Sequence, residues 1–579
     1  MFQRSTTRSR VMKKVGAGLA LALLASTVPM AANAAKQSPA SADKPVSGGK
    51  ITVGVFDTFP GFCMKQILAN SALGGARSIA ETLFERNTKG KVVPFLLKDA
   101  TPSADFKTWN LEIRKKADGT DIQFHDGVAW NADALLANFN AIRGLTYVAN
   151  ITKDTEKNFL GSTAVAVGNI VSTTKVDDYN VKVTLNSAQA DLRELMYASG
   201  RFIMRSPGQL VDSATCASTL IGTGPFKQKS ATETKLVVEK NKNYWRKDAA
   251  GNKLPYLDQI TFKYVVESAS RVAGLKSGSL DAAQFSSASE TTQMKDLSTS
   301  SAVKYFKTGA EYYPSLWFNT SIAPFNNLNA RRAVSYALNR DLWAKTRGNG
   351  INFAATSIVG RNNVMFSTKN FPTFNLKKSN EYAAAYKTET GKDLEFVFPS
   401  SKDATSRANS KALVALMKTA GITASFNEET TSDIVNKGFF EPGTGLKYQA
   451  ATLLTLEGLD AAFNYIFLSP NMFEAGTANP MAGLARIGKI DSLLNITKHT
   501  DAQLNTLLQA ARASGKAADY KLVTERIQEQ AYIANITYQS YAMATTKKIN
   551  GVGETKLASG GTSPAVLNWG TNWTSVWKK

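Results

Sequence analysis

Residues 124–135 read FHDGVAWNADAL, and this stretch decides the fold of the chain. Its first half combines histidine, aspartate and glycine, as in a tight polar turn. Its second half opens an apolar pattern of helical spacing, and Asn131 stands where a side-chain oxygen can cap the first helical turn. The sequence therefore predicts a turn that leads directly into a capped helix.

Three further patterns follow this stretch in a fixed order. They are IGTGPF at 221–226, NYWR at 243–246 followed by LPYLDQI at 254–260, and FNT at 318–320 followed by NARRA at 329–333. In this order, the four patterns resemble the extracytoplasmic solute-binding proteins of the peptide and nickel ABC importers, the dipeptide- and oligopeptide-binding family 5. The resemblance implies an α/β chain with mixed sheets in the two-lobed periplasmic-binding-protein fold of type II, in its large peptide-binding variety. It also implies an extra subdomain in the first lobe and a double-crossover hinge.

The N-terminus has the three parts of a secretory signal peptide. Five basic residues within the first 14 positions precede an uncharged run over 15–30, and Ala32-Asn33-Ala34 offers a cleavage site. The run is too short and too rich in small residues for a membrane span, which needs about 20 apolar residues. No cysteine follows it to carry a lipid anchor. A soluble protein in a periplasm or other extracytoplasmic space is expected, with a disordered leader over 35–48.

The remaining chain is too long for one hydrophobic core, because single cores stop growing at about 250 to 300 residues. The family topology assigns residues 49–309 and 546–579 to lobe I, with a subdomain at about 80–215. It assigns residues 310–545 to lobe II. Two crossings between the lobes, near residues 310 and 543, would form a hinge that permits closure.

Local patterns predict individual elements. Period-two alternation predicts strands at 50–56, 109–113, 181–185 and 260–264, and helical spacing predicts helices that include 330–338 and 504–511. The segment 79–84 is predicted to form a short helix. The aromatic segment 567–577 predicts a strand that returns to the first lobe.

The formal net charge is +23, and removal of the five signal-peptide charges leaves +18. Such a field can attract nucleic acid, anionic headgroups or acidic solutes. A solvated basic surface is the preferred interpretation, because the chain has no run of five or six like charges. We expect a monomer that does not bind nucleic acid.

The sequence offers little material for catalysis. It contains two histidines, His125 and His499, and it lacks the Gly-x-Ser-x-Gly and His-Glu-x-x-His motifs of common hydrolases. A phosphate-binding Gly-x-x-x-x-Gly-Lys-Ser/Thr loop is also absent. We therefore expect a protein that is no enzyme, holds no metal or cofactor, and delivers its solute to separate permease subunits.

The resemblance places ligand-contacting residues on both sides of an interlobe cleft. It implies a first-lobe set following the N-terminal strand and a second set on the crossover strand: Phe56, Asp57, Thr58, Phe59, Tyr312, Tyr313, Trp317 and Asn319. Aromatic rings supply rigid apolar contact without demanding one particular side chain, and backbone groups can pair with an extended peptide. Core packing is the alternative for alternate members of the 312–319 strand.

Three charged residues extend this set. In peptide-binding relatives an aspartate three residues ahead of an Asp-Pro pair receives the ligand ammonium. Glu457 and Asp460 have that spacing, although this chain has glutamate in place of the first aspartate and Ala461 in place of the proline. Arg407 resembles an arginine that binds a ligand carboxylate, which a guanidinium can contact through two hydrogen bonds. Exposed loop carboxylates and a solvated arginine at a helix start are the alternatives.

Two questions stay open at this point. Cys63 and Cys216 are the only cysteines, and in an oxidising compartment they can form a disulfide or remain as two buried thiols. The resemblance favours capture of short peptides for an ABC permease. An oligosaccharide-binding protein of the same fold and a secreted hydrolase are the alternatives.

Overall fold

The structure is a computed structural model, and it describes residues 44–63, 70–142, 167–210, 215–309, 312, 314–402, 404–430, 434, 448–453, 461–468 and 495–579. The strands are β1 (Lys50–Val55), β2 (Phe84–Arg86), β3 (Val92–Pro94), β4 (Leu97–Pro102), β5 (Thr108–Ile113), β6 (Ile170–Asp177), β7 (Asn180–Leu185), β8 (Phe226–Thr232), β9 (Lys235–Lys240), β10 (Gln259–Tyr264), β11 (Ala282–Ser286), β12 (Val303–Lys307), β13 (Ser315–Phe318), β14 (Phe353–Ala354), β15 (Glu395–Ser401), β16 (Thr423–Glu429), β17 (Ala450–Leu453), β18 (Ile533–Asn535), β19 (Thr537–Tyr538), β20 (Tyr541–Thr546), β21 (Ile549–Asn550) and β22 (Trp577–Lys578).

The helices are α1 (Asn70–Ile79), α2 (Ala132–Ile142), α3 (Leu192–Tyr197), α4 (Pro207–Leu210), α5 (Ser268–Ser277), α6 (Thr291–Thr299), α7 (Leu328–Ala337), α8 (Arg340–Arg347), α9 (Leu376–Thr390), α10 (Ala404–Thr419), α11 (Ala461–Leu468), α12 (Ala502–Ser514) and α13 (Ala517–Glu529). Short 3₁₀ turns cover Ala198–Gly200 and Trp573–Ser575.

The largest sheet is mixed, in the order β12-β20-β11-β1-β10-β9-β8. Strand β1 runs parallel to its neighbours β10 and β11, and the other pairs are antiparallel. On β1, Ile51, Val53 and Val55 are buried in one core that also contains Ala72 and Ala76 of α1. The other face of the sheet packs against α5 and α6. Helices therefore cover both faces of this sheet.

A second unit, which we call the subdomain, is built on the antiparallel sheet β4-β5-β7-β6. On β5, Trp109, Leu111 and Ile113 are buried while the intervening residues are more exposed, as the period-two pattern predicts. The Asn131 side chain accepts a hydrogen bond of 3.0 Å from the Ala134 amide, which confirms the predicted cap at the start of α2. Together with the parallel and antiparallel pairs of the large sheet, this confirms the expected α/β class with mixed sheets.

Between β12 and β20 the chain builds separate sheets, β17-β13-β18, β14-β19 and the parallel pair β15-β16. Helices α7 to α13 pack around them in two further cores. For these sheets the chain leaves the large sheet after β12 and returns to it at β20. From the sequence, the second lobe was expected to extend to residue 545, whereas Tyr541–Thr546 is a strand of the large sheet. We therefore propose residues 308–540 as lobe II.

Two local predictions were wrong. Residues 79–84 were expected to form a helix, but α1 ends at Ile79 and strand β2 begins at Phe84. That segment is too short to show a period, and its polar residues Glu81 and Thr82 are buried along with its apolar ones. Residues 567–577 were expected to form a strand, but only Trp577, the last residue of this segment, lies in a strand. The chain turns at Gly570, where φ is +129°, and a 3₁₀ turn follows.

Candidate ligand-binding site

One edge of the large sheet collects the ends of several strands. Because β1, β10 and β11 are parallel, their carboxyl ends lie at the same edge, where ligands of α/β sheets bind. Phe56 and Asp57 follow β1 there, and Ser286 ends β11. Tyr541 begins the antiparallel strand β20 and pairs with Ser286. Both crossings between the lobes start from this edge.

Three aromatic side chains meet at this edge, and we call Phe56, Tyr312 and Tyr541 the aromatic cluster. The rings of Phe56 and Tyr541 are nearly parallel, with centroids 6.5 Å apart. The ring of Tyr312 meets that of Tyr541 edge-on at 4.7 Å. All three side chains are half-buried. Such rings offer rigid apolar area to a ligand while one side stays accessible.

Hydrogen bonds tie the two crossings together beside this cluster. The Ser540 amide donates to Ser287 Oγ at 2.8 Å, and the Tyr541 amide donates to Thr308 Oγ1 at 3.0 Å. From the second lobe, Asn352 Nδ2 donates to the Ser287 carbonyl at 2.8 Å. Short polar segments joined in this way suit a hinge, because they fix the axis without filling the cleft.

A buried ion pair supports the aromatic cluster from behind. Arg271 Nη2 bonds Glu290, and its Nη1 donates to the Val265 carbonyl at 2.5 Å. The guanidinium carbon lies 5.9 Å from the centre of the Phe56 ring. Glu290 Oε2 also accepts a bond of 2.9 Å from the Ser286 amide. These contacts hold Phe56 and the end of β11 in fixed positions.

The predicted first-lobe residues divide between edge and core. Phe56, Asp57 and Thr58 are half-buried at the sheet edge, whereas Phe59 is 4% exposed and belongs to the core between the sheet and α1. Tyr541 was missed from the sequence, although it lies only two residues from the expected second crossing. Its aromatic type close to a crossing is the signal that could have found it.

On the crossover strand, Trp317 and Asn319 point into the protein. Trp317 is 1% exposed in a core of lobe II. Asn319 is 2% exposed; its Nδ2 donates to the Tyr448 carbonyl at 3.2 Å and its Oδ1 accepts from Ser321 Oγ at 2.7 Å. The structure therefore brings Phe56 and Tyr312 together through Tyr541, and it gives Trp317 and Asn319 interior contacts.

Arg407 lies on α10, where its guanidinium already binds a carboxylate. Its Nε and Nη2 donate to the two carboxylate oxygens of Glu428 on β16, at 2.6 and 2.8 Å. These hydrogen bonds hold the pKa of Glu428 below its ordinary value. A ligand carboxylate would have to compete with this ion pair.

The remaining predicted site residues and the two cysteines have separate outcomes. Tyr313, Glu457 and Asp460 lie outside the described residues. Cys63 and Cys216 are joined by a disulfide, with their Cα atoms 4.8 Å apart. The bond ties the segment that follows Phe59 to the segment before β8.

The sequence patterns that define the fold converge elsewhere, around a buried carboxylate. Thr223 of IGTGPF and Trp245 of NYWR each donate to Glu81 Oε2 at 2.9 Å, and Tyr244 Oη donates to Glu81 Oε1 at 2.6 Å. Glu81 is 4% exposed, and this burial raises the pKa of its carboxyl group. We call Glu81, His125, Thr223, Tyr244 and Trp245 the motif cluster.

His125 joins the same cluster through the backbone. Its amide donates to the Gly222 carbonyl at 2.9 Å, and its Nε2 donates to the Gly224 carbonyl at 3.0 Å. Burial lowers the pKa of His125 to about 4. A Cβ atom at Gly222 or Gly224 would lie 2.5 Å from the backbone at the end of α1, so this turn requires glycine. His125 is thus a structural histidine.

Within the described part of the chain, no group of three or more His, Cys, Asp or Glu side chains is close enough together to hold a metal ion. His499 Nε2 donates to the Leu468 carbonyl at 2.7 Å, so the second histidine is also bound by backbone. In the same residues, every helix is too short or too polar to cross a membrane.

The family model for "Bacterial extracellular solute-binding proteins, family 5 Middle" matches residues 91–458. The chain belongs to family 5. Its members are solute-binding proteins of ABC importers rather than enzymes. The matched range contains the four sequence patterns and the whole first crossing.

Two curated family 5 relatives are glutathione-binding proteins named GsiB. That of Pectobacterium atrosepticum is 28% identical over 302 residues, which is 51% of this chain and 53% of the relative. That of Escherichia coli K12 is 27% identical over 286 residues, 49% of this chain and 51% of the relative. The match therefore spans about half the length of these relatives.

Solved structures agree with this chain over almost its whole length. The dipeptide-binding protein of Pseudoalteromonas sp. SM9913 in complex with Met-Leu has a TM-score of 0.72 at 16% identity, over 92% of this chain and 100% of that chain. The protein AgaA of A.tumefacien R10, in complex with agropinic acid, has a TM-score of 0.73 at 18% identity, over 92% and 99%. These likenesses confirm the type II periplasmic-binding-protein fold.

Proposed function

We propose that this chain captures short peptides in the cleft between its lobes and delivers them to the permease of an ABC importer. The observation that carries the proposal is the position of the aromatic cluster. It lies at the sheet edge where ligands of this fold class bind, and both lobe crossings are hydrogen-bonded together beside it. A closing rotation about those crossings would bring lobe II over the three rings.

The chemistry of the edge suits a peptide. Half-buried aromatic rings contact many different side chains, because they offer area rather than a matched set of hydrogen bonds. Arg271 and Glu290 neutralise one another behind the rings, so this pair does not impose one ligand charge. Asp57 and Thr58 add polar groups next to Phe56. We assign these residues, with Tyr312 and Tyr541, to ligand contact.

We assign recognition of the peptide ammonium to Glu457. It stands three residues before Asp460 in the sequence, as the aspartate that receives the ammonium in peptide-binding relatives stands three residues before an Asp-Pro pair. The similarity to proteins named for glutathione, itself a tripeptide, supports the same ligand class. Structures of the fold hold a dipeptide and a nonapeptide, and also agropinic acid, so the fold alone does not select the ligand.

Calorimetric titration tests the proposal with three defined probes: trialanine, glutathione and maltotriose. We expect heat of binding with a peptide probe, and a loss of at least tenfold in affinity in Phe56→Ala. Phe374→Ala is the matched control, since Phe374 is a 41% exposed phenylalanine before α9. Binding of maltotriose alone would favour the oligosaccharide alternative. Peptide binding that is unchanged in Phe56→Ala would remove the aromatic cluster from the site.

A further inference from the structure

Four buried polar residues join the subdomain to lobe II at a place away from the aromatic cluster. Gln189 and Asp191 precede α3 in the subdomain, while Arg512 lies on α12 and Tyr520 on α13. None of the four is more than 8% exposed. Their neighbours belong to separate cores: α3 packs in the core of the subdomain, and α12 and α13 pack in a core of lobe II. The four residues therefore lie on an interface between two independently packed units.

The contacts across this interface are specific. Tyr520 Oη donates to Asp191 Oδ2. Arg512 Nη2 donates to Gln189 Oε1 at 2.6 Å, and the Ala190 amide donates to the Arg512 carbonyl at 2.9 Å. Side chains and backbone of both units thus take part.

A second contact lies nearby and is apolar. Phe463 on α11 of lobe II is 1% exposed and belongs to the core of the subdomain, where the Arg201 guanidinium lies 5.5 Å from its ring centre. The two contacts together fix the orientation of lobe II against the subdomain.

The polar contact is stable only while the units are together. Burial raises the pKa of the Asp191 carboxyl, and the charge of Arg512 acts in the opposite direction. A desolvated carboxylate needs its donors, because an unpaired buried charge is costly. When the units separate, water replaces those donors at little cost. Loss of one donor therefore weakens the joined state and leaves the separated state almost unchanged.

We propose that Gln189, Asp191, Arg512 and Tyr520 form a latch that holds lobe II against the subdomain and so favours the closed cleft. The proposal rests on the proposed function only in that closure traps a ligand. The contacts between the two units are made by latch side chains and backbone and involve no ligand, so the latch acts on every ligand alike. It changes the fraction of molecules that are closed, and apparent affinity scales with the fraction of the binding-competent state.

Energy transfer between two dyes measures closure without a ligand. The dyes are placed by Lys182→Cys on β7 and Lys521→Cys on α13, both at exposed positions, in protein that keeps its disulfide. Tyr520→Phe removes one hydrogen bond to a carboxylate. We expect the ratio of closed to open molecules to fall by about ten- to a hundredfold, the factor for a charge-assisted hydrogen bond.

Tyr179→Phe is the matched control. It removes a Tyr–Asp hydrogen bond of 3.0 Å, between Tyr179 Oη and Asp121, that lies wholly within the subdomain. It should leave the ratio unchanged. If Tyr520→Phe fails to fold, as judged by its circular dichroism, Gln189→Ala provides the second variant and should also shift the ratio toward open molecules.

Two results would overturn the latch. One is the same ratio of closed to open molecules in Tyr520→Phe and Tyr179→Phe, and the other is a wild type whose molecules are all open. Failure of the proposed function is a separate result, because it would appear in the titrations with peptide probes. A latch variant that opens while no peptide binds would support the latch and reject peptide capture.

Discussion

The motif cluster lies within lobe I, whereas the aromatic cluster joins Phe56 and Tyr541 of lobe I to Tyr312 of lobe II, and the two are built in opposite ways. Around Glu81, three side chains from distant parts of the sequence donate to one buried carboxylate. Around Tyr541, the rings of Phe56 and Tyr312 each contact the Tyr541 ring, and all three stay half-buried. The patterns by which the family is recognised therefore report how the lobe folds. The surface that we propose for solute contact lies elsewhere.

The largest effect is expected in the motif cluster. Glu81→Ala leaves three buried donors without their acceptor, and each unsatisfied buried donor costs about 1 to 3 kcal/mol, so we expect the free energy of unfolding to fall by about 3 kcal/mol or more. Chemical denaturation measures this loss. Glu233→Ala is the control, because Glu233 is exposed between β8 and β9 and its change should stay within about 0.5 kcal/mol. Equal losses in both variants would contradict a structural role of the cluster.

The disulfide should come next. It closes a loop with a sequence separation of 153 residues, and loss of such a bond lowers the free energy of unfolding by about 2 to 5 kcal/mol. The double variant Cys63→Ser, Cys216→Ser tests this by denaturation. Ligand affinity should fall less than tenfold, because Phe56 is held by Arg271 and Tyr541 and not by the disulfide. A loss of ligand affinity of more than tenfold would instead place Cys63 in the ligand site.

A smaller effect is expected at Glu457. If this residue receives the peptide ammonium, Glu457→Gln removes the charged part of a hydrogen bond worth about 1.5 to 3 kcal/mol, or roughly ten- to a hundredfold in affinity. Acetylation of the peptide amine should weaken binding to the wild type and add little in the variant. Calorimetry of the four combinations provides the measurement. Simple addition of the two losses would show that the ammonium binds elsewhere.

The smallest effect concerns acid stability. The pKa of His125 is lowered by burial to about 4 in the folded chain, from 6.5. As the pH falls from 6.5 to 4, the unfolded chain takes up this proton first, so the stability gained by a neutral His125 is lost over that window. His125→Gln should therefore lose about 1 to 2 kcal/mol less stability between pH 7.5 and pH 5 than the wild type does. Parallel curves for the two proteins would mean that His125 titrates normally.

Much of the fold could be predicted from the sequence because local patterns carry it. Alternation at β5 and the cap at Asn131 follow from side-chain chemistry within a few residues. The helix predicted at 79–84 was wrong because polar Glu81 and Thr82 are buried along with the apolar residues of this segment, so its sequence shows no period. Strand β13 is central between β17 and β18, and all of its residues are buried. Its sequence therefore could not tell which residues would face a cleft.

The site was harder to predict because it is assembled by the two crossings. Tyr541 meets Phe56 and Tyr312 only after the chain returns to the large sheet, and no local pattern encodes that meeting. Arg407 had a suitable residue type but meets Glu428, which lies 21 residues later on the next strand. In both cases the residue type marked a possible ligand contact, but contacts between residues distant in the sequence determined where the side chain lies.

Native mass spectrometry of gently purified protein tests the central claim, that the sheet edge and not the motif cluster holds a peptide. The account predicts ligand adducts on the wild type, in a series spaced by amino-acid residue masses. It predicts their loss in Phe56→Ala and their retention in folded His125→Gln. Adducts spaced by hexose units, or peptide adducts that survive Phe56→Ala and disappear in His125→Gln, would contradict it.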